Sequence, residues 1–99
     1  LECFKVGDNA IGRWGDSTAE GTGPSVALPP EIWQPFGSTA RKKNLTVRYG
    51  TIEIGCELKD TMPAIANIKN GARIDLNPDC CAALGLTPPM MTQVEWKWA

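Results

Sequence analysis

Two short acidic motifs constrain the fold of this chain more than any other feature. The first is Asp60-Thr61-Met62-Pro63, and the second begins twelve residues after Asp60 and reads Ala72-Arg73-Ile74-Asp75-Leu76-Asn77-Pro78. In each motif an aspartate lies beside apolar residues of the kind that form strands. The second motif leads into a predicted helix, because Asn77 can cap it, Pro78 suits its first position and Gly85 can end it. The pattern therefore predicts an acid-bearing strand, a short helix and a final strand.

Strand signals dominate the rest of the chain. Residues 45–49 and 51–58 alternate apolar and polar side chains, with Gly50 at the turn of a predicted hairpin. Shorter strands are predicted at Cys3 to Val6, Ala10 to Trp14, Ala72 to Leu76 and Gln93 to Trp98. Short helices are predicted near Pro30 to Trp33 and Pro78 to Leu84, and surface loops at 15–24 and 64–71. Many short strands with little helix indicate a small barrel or sandwich.

Composition limits the class of protein. The 99 residues are enough for one domain, spanning 1–99, and its 42% hydrophobic content predicts a folded core. The formal net charge of −1 gives no electrostatic footprint for nucleic acid or for an acidic membrane surface. No apolar run approaches the roughly 20 residues of a membrane span. Because the chain starts at Leu1 rather than Met, it is expected to be a processed or trimmed product.

The four cysteines predict a disulfide framework if the protein is exported. They are Cys3, Cys56, Cys80 and Cys81. Adjacent cysteines rarely bond to each other, which leaves Cys3 and Cys56 as partners for the other two, and Cys56 is expected to bond to Cys80 or Cys81. The alternation of its strand makes Cys56 a core-facing residue whether or not it is bonded. The sequence has no histidine and no Cys-x-x-Cys pair, so neither a metal site nor a cofactor is expected.

The absence of histidine also removes the base of Ser-His-Asp and Cys-His nucleophile arrangements. Carboxylates remain for proton chemistry, and a pair of them is what most glycosidases use to cleave a glycosidic bond. Asp60 and Asp75 are the candidate pair, since repulsion between nearby carboxylates favours one that keeps its proton. The structural alternative is that Asp60 orders a turn before Pro63 while Asp75 accepts hydrogen bonds from backbone amides.

In order and spacing, several motifs resemble the double-psi β-barrel domain found in bacterial expansin-like proteins, rare lipoprotein A and some lytic transglycosylases. The matching segments are Val26 to Ile32, Lys59 to Pro63, Ile74 to Pro78, Ala83 to Gly85 and Val94 to Trp96. The likeness runs from Ser25 to Trp96. It implies an all-β fold with two short helices, built as a six-stranded double-psi β-barrel.

The resemblance also implies a site. Asp75 takes the position of the family's essential aspartate, as general acid or key hydrogen-bonding residue, and Asp60 is its neighbour in an open groove. Exposed aromatic faces stack on sugar rings. Trp14 is the groove candidate among the four tryptophans, because it lies beside the Gly-rich loop at the position of the family's first-strand aromatic. Asp16, Thr61 and Glu31 complete the predicted substrate-binding set, with Glu31 as a replacement for a family histidine. The family's first-strand threonine is missing here.

Three classes of function follow. The first is an enzyme that cleaves peptidoglycan or a related β-1,4-glycan, as a lytic transglycosylase or glycoside hydrolase does. The second is a non-catalytic expansin-like module that binds and loosens wall polymer. The third is a protein-recognition scaffold such as a protease inhibitor, an effector or a phage particle component. The sequence favours an extracellular or periplasmic domain directed at cell-wall polysaccharide, and it leaves open whether the domain is an enzyme.

Overall fold

A computed structural model describes residues 2–3, 11–87 and 91–99, with the backbone alone for the first two. The strands are β1 (Glu2–Cys3), β2 (Ser25–Leu28), β3 (Asn44–Tyr49), β4 (Ile52–Thr61), β5 (Asp75–Leu76) and β6 (Glu95–Trp98). The helices are α1 (Pro30–Trp33) and α2 (Pro78–Leu84), and 3-10 segments cover Gln34–Ala40, with a kink at Gly37, and Ile65–Asn67. None of the helices in the described part of the chain is long and apolar enough to cross a membrane.

The strands form one open mixed sheet in the order β1-β5-β2-β4-β3-β6. The closed six-stranded double-psi barrel expected from the family resemblance is therefore wrong. A barrel closes only when its two edge strands pair with each other. Among the described residues, β1 pairs with β5 alone and β6 with β3 alone. Because β1 and β5 have two residues each, they provide too short a ladder to carry the sheet around to β6.

The β3–β4 hairpin is confirmed. Its register places Leu45 opposite Cys56 and Val47 opposite Ile54, and the turn contains Gly50 at a φ of 62°. Alternation puts Leu45, Val47 and Cys56 into the core, as predicted for Cys56. Strand β4 runs to Thr61, three residues beyond the predicted end, because its second half pairs with β2.

A β-bulge lies in the parallel pairing of β2 with β4. Val26 pairs with Leu58, but the next residue of β2, Ala27, pairs with Asp60. Lys59 is thus the extra residue of the bulge. In an unbroken register Lys59 would lie opposite Ala27, so the bulge is what brings Asp60 to that position.

Both predicted helices are confirmed, and α2 has the expected caps. The Asn77 side chain accepts a hydrogen bond from the backbone nitrogen of Cys80 at 2.8 Å. At the other end Gly85 adopts the left-handed conformation, with φ 76°. The backbone nitrogen of Leu86 then donates to the carbonyl of Cys81 at 2.8 Å, which closes the helix in a Schellman-type bond.

The predicted strand at Ala10 to Trp14 is wrong over its described residues. Ile11 forms only an isolated bridge to Ser17, and the nitrogen of Gly12 donates to the carbonyl of Asp16 at 2.8 Å, which makes a tight turn. This turn packs on β4 so closely that a Cβ on Gly12 would lie 1.9 Å from the carbonyl oxygen of Lys59.

The other short strands are shorter than predicted. Of Ala72 to Leu76 only the last two residues are in β5, and of Gln93 to Trp98 only the last four are in β6. Cys3 belongs to β1, while residues 4–6 of that predicted strand lie outside the described residues.

The main core lies between the sheet and α2. It contains Val26, Leu28, Leu45, Val47, Leu58, Ile74, Leu76 and Leu84, with Trp96 and Trp98 packed against it half-buried. A smaller apolar cluster of Ala27, Met62 and Ala72, with Ile68 against it, lies separately.

Candidate functional site

Asp60 and Asp75 lie on the two sides of Ala27. In the parallel ladder Ala27 pairs with Asp60, and in the antiparallel ladder it pairs with Asp75. Residues paired across neighbouring strands project from the same face of a sheet, so the two carboxylates share one face with only a methyl group between them. Two strand spacings separate their Cα atoms by about 10 Å.

A small cavity connects the two aspartates. Its volume is about 20 Å³, and it is lined by Asp60, Asp75 and Ala27 together with Thr18, Ser25 and Asn77. Both aspartates are half-buried, whereas Ala27 is only 6% exposed. A space of this size holds about one water molecule and no sugar ring.

Asn77 fixes one wall of the cavity. Its side-chain oxygen accepts hydrogen bonds from the backbone nitrogens of Cys80 at 2.8 Å and Ser25 at 3.0 Å. Its side-chain nitrogen donates to the carbonyls of Thr18 at 3.1 Å and Gly23 at 2.9 Å. One buried amide thus joins the start of α2, strand β2 and the loop of residues 15–24.

The same loop is held from two further sides. The carboxylate of Asp79, in the first turn of α2, accepts from the backbone nitrogens of Gly21 at 3.0 Å and Gly23 at 2.7 Å. From β4, the Nζ of buried Lys59 donates to the carbonyls of Ser17 at 3.4 Å and Thr22 at 3.3 Å. Lys59, the extra residue of the bulge, therefore bonds to the loop of residues 15–24 from strand β4.

Thr61 lies next to Asp60 and is fixed by Trp33. The backbone nitrogen of Thr61 donates to Oδ1 of Asp60 at 2.8 Å, and the indole Nε1 of Trp33 donates to Oγ1 of Thr61 at 3.0 Å. Trp14 packs edge-on against Trp33, with ring centroids 5.3 Å apart. Trp14 is half-buried and is not among the described residues that line the cavity. The contacts just described link it to Asp60 through Trp33 and Thr61.

Asp16 forms a two-pronged ion pair with Arg41. Its oxygens accept from Nε and Nη2 of Arg41 at 3.0 and 2.8 Å, and Nζ of Lys42 is 3.7 Å away. The hydrogen bond from Arg41 holds the pKa of Asp16 below its usual value, with the positive charges of Arg41, Lys42 and Lys59 adding to the effect, while partial desolvation opposes it. In this arrangement Asp16 ties its loop to the residue that follows the first 3-10 segment.

Glu31 also makes a structural contact. Its carboxylate accepts from the backbone nitrogen of Ile65 at 3.0 Å, at the start of the second 3-10 segment. Of the six predicted site residues, Asp60 and Asp75 line the cavity, and Thr61 is hydrogen-bonded to Asp60 without lining it. Trp14, Asp16 and Glu31 are not among the described lining residues.

Sequence reasoning missed the roles of Asn77, Asp79 and Lys59. Asn77 carried a signal as a helix cap, but its bonds to Ser25, Thr18 and Gly23 span more than fifty residues. Asp79 carried the weaker signal of an acid in a first helical turn. Lys59 carried no signal, because a lysine in a strand is equally compatible with an exposed position and with the buried position that it occupies here.

The disulfide predicted for Cys56 is not in the structure. Cys56 and Cys80 are buried free thiols with sulfurs 3.5 Å apart, well beyond the roughly 2.05 Å of a disulfide bond. A hydrogen bond between them lowers the pKa of the Cys56 thiol and, together with burial, raises that of Cys80. Cys81 is buried on α2, and the side chain of Cys3 lies outside the described residues, so pairings that involve Cys3 stay predictions.

Larger clefts lie elsewhere on the described surface. One of about 490 Å³ lies beside the β3–β4 turn and β6, and one of about 480 Å³ lies beside Gly23, Asn44 and Glu57. The described residues hold no group of three or more cysteines and carboxylates placed to bind a metal ion.

No protein-family model matches the sequence. No curated protein matches it significantly either. The candidate site is therefore interpreted from its own geometry, and the resemblance to expansin-like domains stays a hypothesis about function.

Proposed function

We propose that this protein acts on cell-wall polysaccharide, peptidoglycan or a related β-1,4-glycan, through the carboxylate pair Asp60 and Asp75. The observation that carries the proposal is their common register with Ala27 on one face of the sheet. General acid and base catalysis at a glycosidic bond commonly uses two carboxyl groups that reach the same substrate, and two carboxylates on one face of a sheet can meet this requirement.

The two acids take different roles in the proposal. Asp60 accepts a hydrogen bond from the backbone nitrogen of Thr61 at 2.8 Å, which orients its carboxylate. Asp75, on the far side of Ala27, is the proton donor of the proposed pair. In this role Asp75 protonates the leaving oxygen as the glycosidic C–O bond breaks, and Asp60 accepts a proton from the water molecule whose oxygen bonds to the anomeric carbon.

The size of the cavity limits where the sugar can lie. A volume of about 20 Å³ suits one water molecule between the acids. Glycosidases that invert the configuration of the anomeric carbon keep their carboxylates about 6.5 to 9.5 Å apart to leave room for such a water. The glycan chain accordingly lies across the mouth of the cavity and not within it.

The test is wall binding and fragment release measured in parallel. Wild type, Asp75→Asn and Asp60→Asn are incubated with purified peptidoglycan and with cellulose, and both bound protein and released soluble fragments are measured. The control is Glu53→Gln, which neutralises an exposed acid on the same strand as Asp60. Both aspartate variants should bind polymer at the wild-type level and release at least about a hundredfold fewer fragments, since general acid and base groups contribute that much or more.

Release by Asp75→Asn at the wild-type rate would contradict the catalytic assignment. Binding to neither polymer by the wild type would contradict the polysaccharide assignment itself. Polymer binding without any fragment release would restrict the function to the non-catalytic, expansin-like alternative.

A further inference from the structure

A cleft separate from the aspartate cavity lies on the described surface. Its volume of about 490 Å³ falls in the range of small-molecule sites. Three segments form it: the β3–β4 turn at Gly50, the chain from Gly71 to Ile74, and residues 92–96, which lead into β6. None of the predicted site residues lines it.

The lining combines an aromatic ring with hydrogen-bonding groups. Trp96 is half-buried, anchored by the core and by an edge-on contact with Trp98 at 5.1 Å. Trp96 borders the cleft, and because it is only half-buried, part of its surface is exposed to solvent. Thr92 and Gln93 add neutral donors and acceptors to the lining. An aromatic surface bordered by hydroxyl and amide groups suits a sugar ring, which offers apolar C–H faces and polar edges.

The charges of the cleft favour an anion. Arg48 and Arg73 line it, and the acid among its described lining residues is Glu95. Glu95 is ion-paired with Arg48. The guanidinium of Arg73 donates to the carbonyl of Ala72 at 2.9 Å, which orients it and leaves its other N–H donors outside that bond. A guanidinium of this kind matches the two oxygens of a carboxylate.

We propose that this cleft binds a sugar residue that carries a carboxylate group, with the ring against Trp96 and the carboxylate on Arg73. The inference rests on the proposed function and specifies its substrate as an acidic glycan. Muramic acid and uronic acids share this chemistry.

The position of the cleft along the chain relates it to the acid pair. Arg73 is two residues before Asp75, so their Cα atoms are at most about 7 Å apart. The short segment from Gly71 to Leu76 therefore borders the cleft with its first half and the aspartate cavity with its second half. A glycan anchored at Arg73 by one acidic sugar would lie within reach of Asp75 with its next residues.

Binding of soluble sugars tests the inference. Two matched pairs of probes are titrated into the full chain: N-acetylmuramic acid against N-acetylglucosamine, and oligogalacturonate against cello-oligosaccharide of equal length. Affinity is measured by calorimetry, and the site is located from the NMR shifts of the Trp96 indole and Arg73 side-chain signals. Wild type should bind the acidic member of at least one pair about tenfold more tightly, as expected for charge-assisted hydrogen bonds.

Variants separate a specific site from general attraction between charges. Arg73→Gln should remove the preference for the acidic probe, and Trp96→Phe, which keeps an aromatic ring in the core, should weaken both members of a pair. Lys69→Gln removes an exposed positive charge outside the cleft lining and should keep the wild-type preference.

Equal affinity for acidic and neutral probes, an unchanged preference in Arg73→Gln, or shifts located away from Trp96 would each overturn the inference. Fragment release by wild type and Asp75→Asn decides the proposed catalytic function independently. If wild type cleaves the polymer but shows no preference for acidic sugars, only the proposed sugar site in the cleft is rejected. If it binds acidic sugars selectively but does not cleave, only the proposed catalytic role of Asp60 and Asp75 is rejected.

Discussion

The carboxylate of Asp79 lies 2.7 Å from the backbone nitrogen of Gly23, although 56 residues separate them in the chain. A second bond joins Asp79 to the nitrogen of Gly21 at 3.0 Å. The first turn of α2 thus holds the loop whose residue Thr18 lines the aspartate cavity. An acid outside the cavity lining therefore shares with Asn77 and Lys59 the bonds that hold this loop.

Replacing Asp79 with alanine should therefore destabilise the protein by about 1 to 2 kcal/mol, because charge-assisted hydrogen bonds to two amides are lost. Urea unfolding measures the change. Hydrogen exchange should show faster exchange at Gly21 and Gly23. Glu20→Ala, at an exposed acid of the same loop, should change stability by less than about 0.5 kcal/mol. Equal effects of the two substitutions would show that Asp79 does not hold the loop.

The ion pair of Asp16 with Arg41 makes stability depend on pH in a defined direction. The folded-state pKa of Asp16 is lowered, chiefly by its hydrogen bond to Arg41, relative to the value of about 3.9 in an unfolded chain. The stabilisation is complete above the unfolded value and is lost as the pH falls through the folded value. The stability difference between wild type and Asp16→Asn should thus be largest near neutral pH and shrink below about pH 4. Unfolding curves from pH 7 to 2 measure it, and a difference independent of pH would exclude this linkage.

Gly12 is a position where a single methyl group cannot be accommodated. A Cβ there would lie 1.9 Å from the carbonyl oxygen of Lys59 and 2.9 Å from its carbon, and both atoms belong to the backbone. Gly12→Ala should destabilise the protein by about 3 kcal/mol or more, since the turn must leave β4. Gly55→Ala, in strand β4 itself, is the matched control, because a Cβ on Gly55 would meet no atom within 4 Å. Thermal and urea unfolding compare the two, and similar losses would mean that the approach of Gly12 to β4 is not essential.

The two buried free thiols should differ in acidity. The hydrogen bond from Cys80 lowers the pKa of Cys56, whereas the bond to Cys56 and burial raise the pKa of Cys80. NMR shifts of the two Cβ carbons, followed across pH, should show Cys56 ionising before Cys80.

Removing the partner of Cys56 tests the cause of this difference. Cys80→Ala should shift the pH midpoint of Cys56 ionisation upward, and Cys80→Ser, which keeps an O–H group able to donate to the thiolate, should shift it less. Earlier ionisation of Cys80, or the same midpoint in both variants, would contradict this role of the hydrogen bond.

Local patterns in the sequence predicted the elements that depend on near neighbours. The limits of α2 followed from Asn77, Pro78 and Gly85, each within a few residues of the helix end that it caps. The β3–β4 hairpin followed from alternation around Gly50. Such signals act through bonds that close within one turn of chain, so the residues themselves contain the information.

The family resemblance was a poorer predictor of how the strands are joined. The motifs occur in the expected order, yet β1 and β5 are only two residues long and the sheet stays open. Closure depends on pairing between strands at the two ends of the sheet, and no local motif determines it.

The sequence by itself determined that carboxylates are the available acid and base groups, where α2 begins and ends, and that Cys56 faces the core. Only the tertiary structure decided that Asp60 and Asp75 share one face, because the bulge at Lys59 shifts the register of β4 against β2 by one residue. It likewise decided that Asp16 binds Arg41 and that Glu31 binds the amide of Ile65, both outside the cavity lining. A register shift of one residue moves a side chain to the other face of a sheet. The bulged register is stabilised by contacts between segments more than thirty residues apart, and local sequence patterns do not predict such contacts.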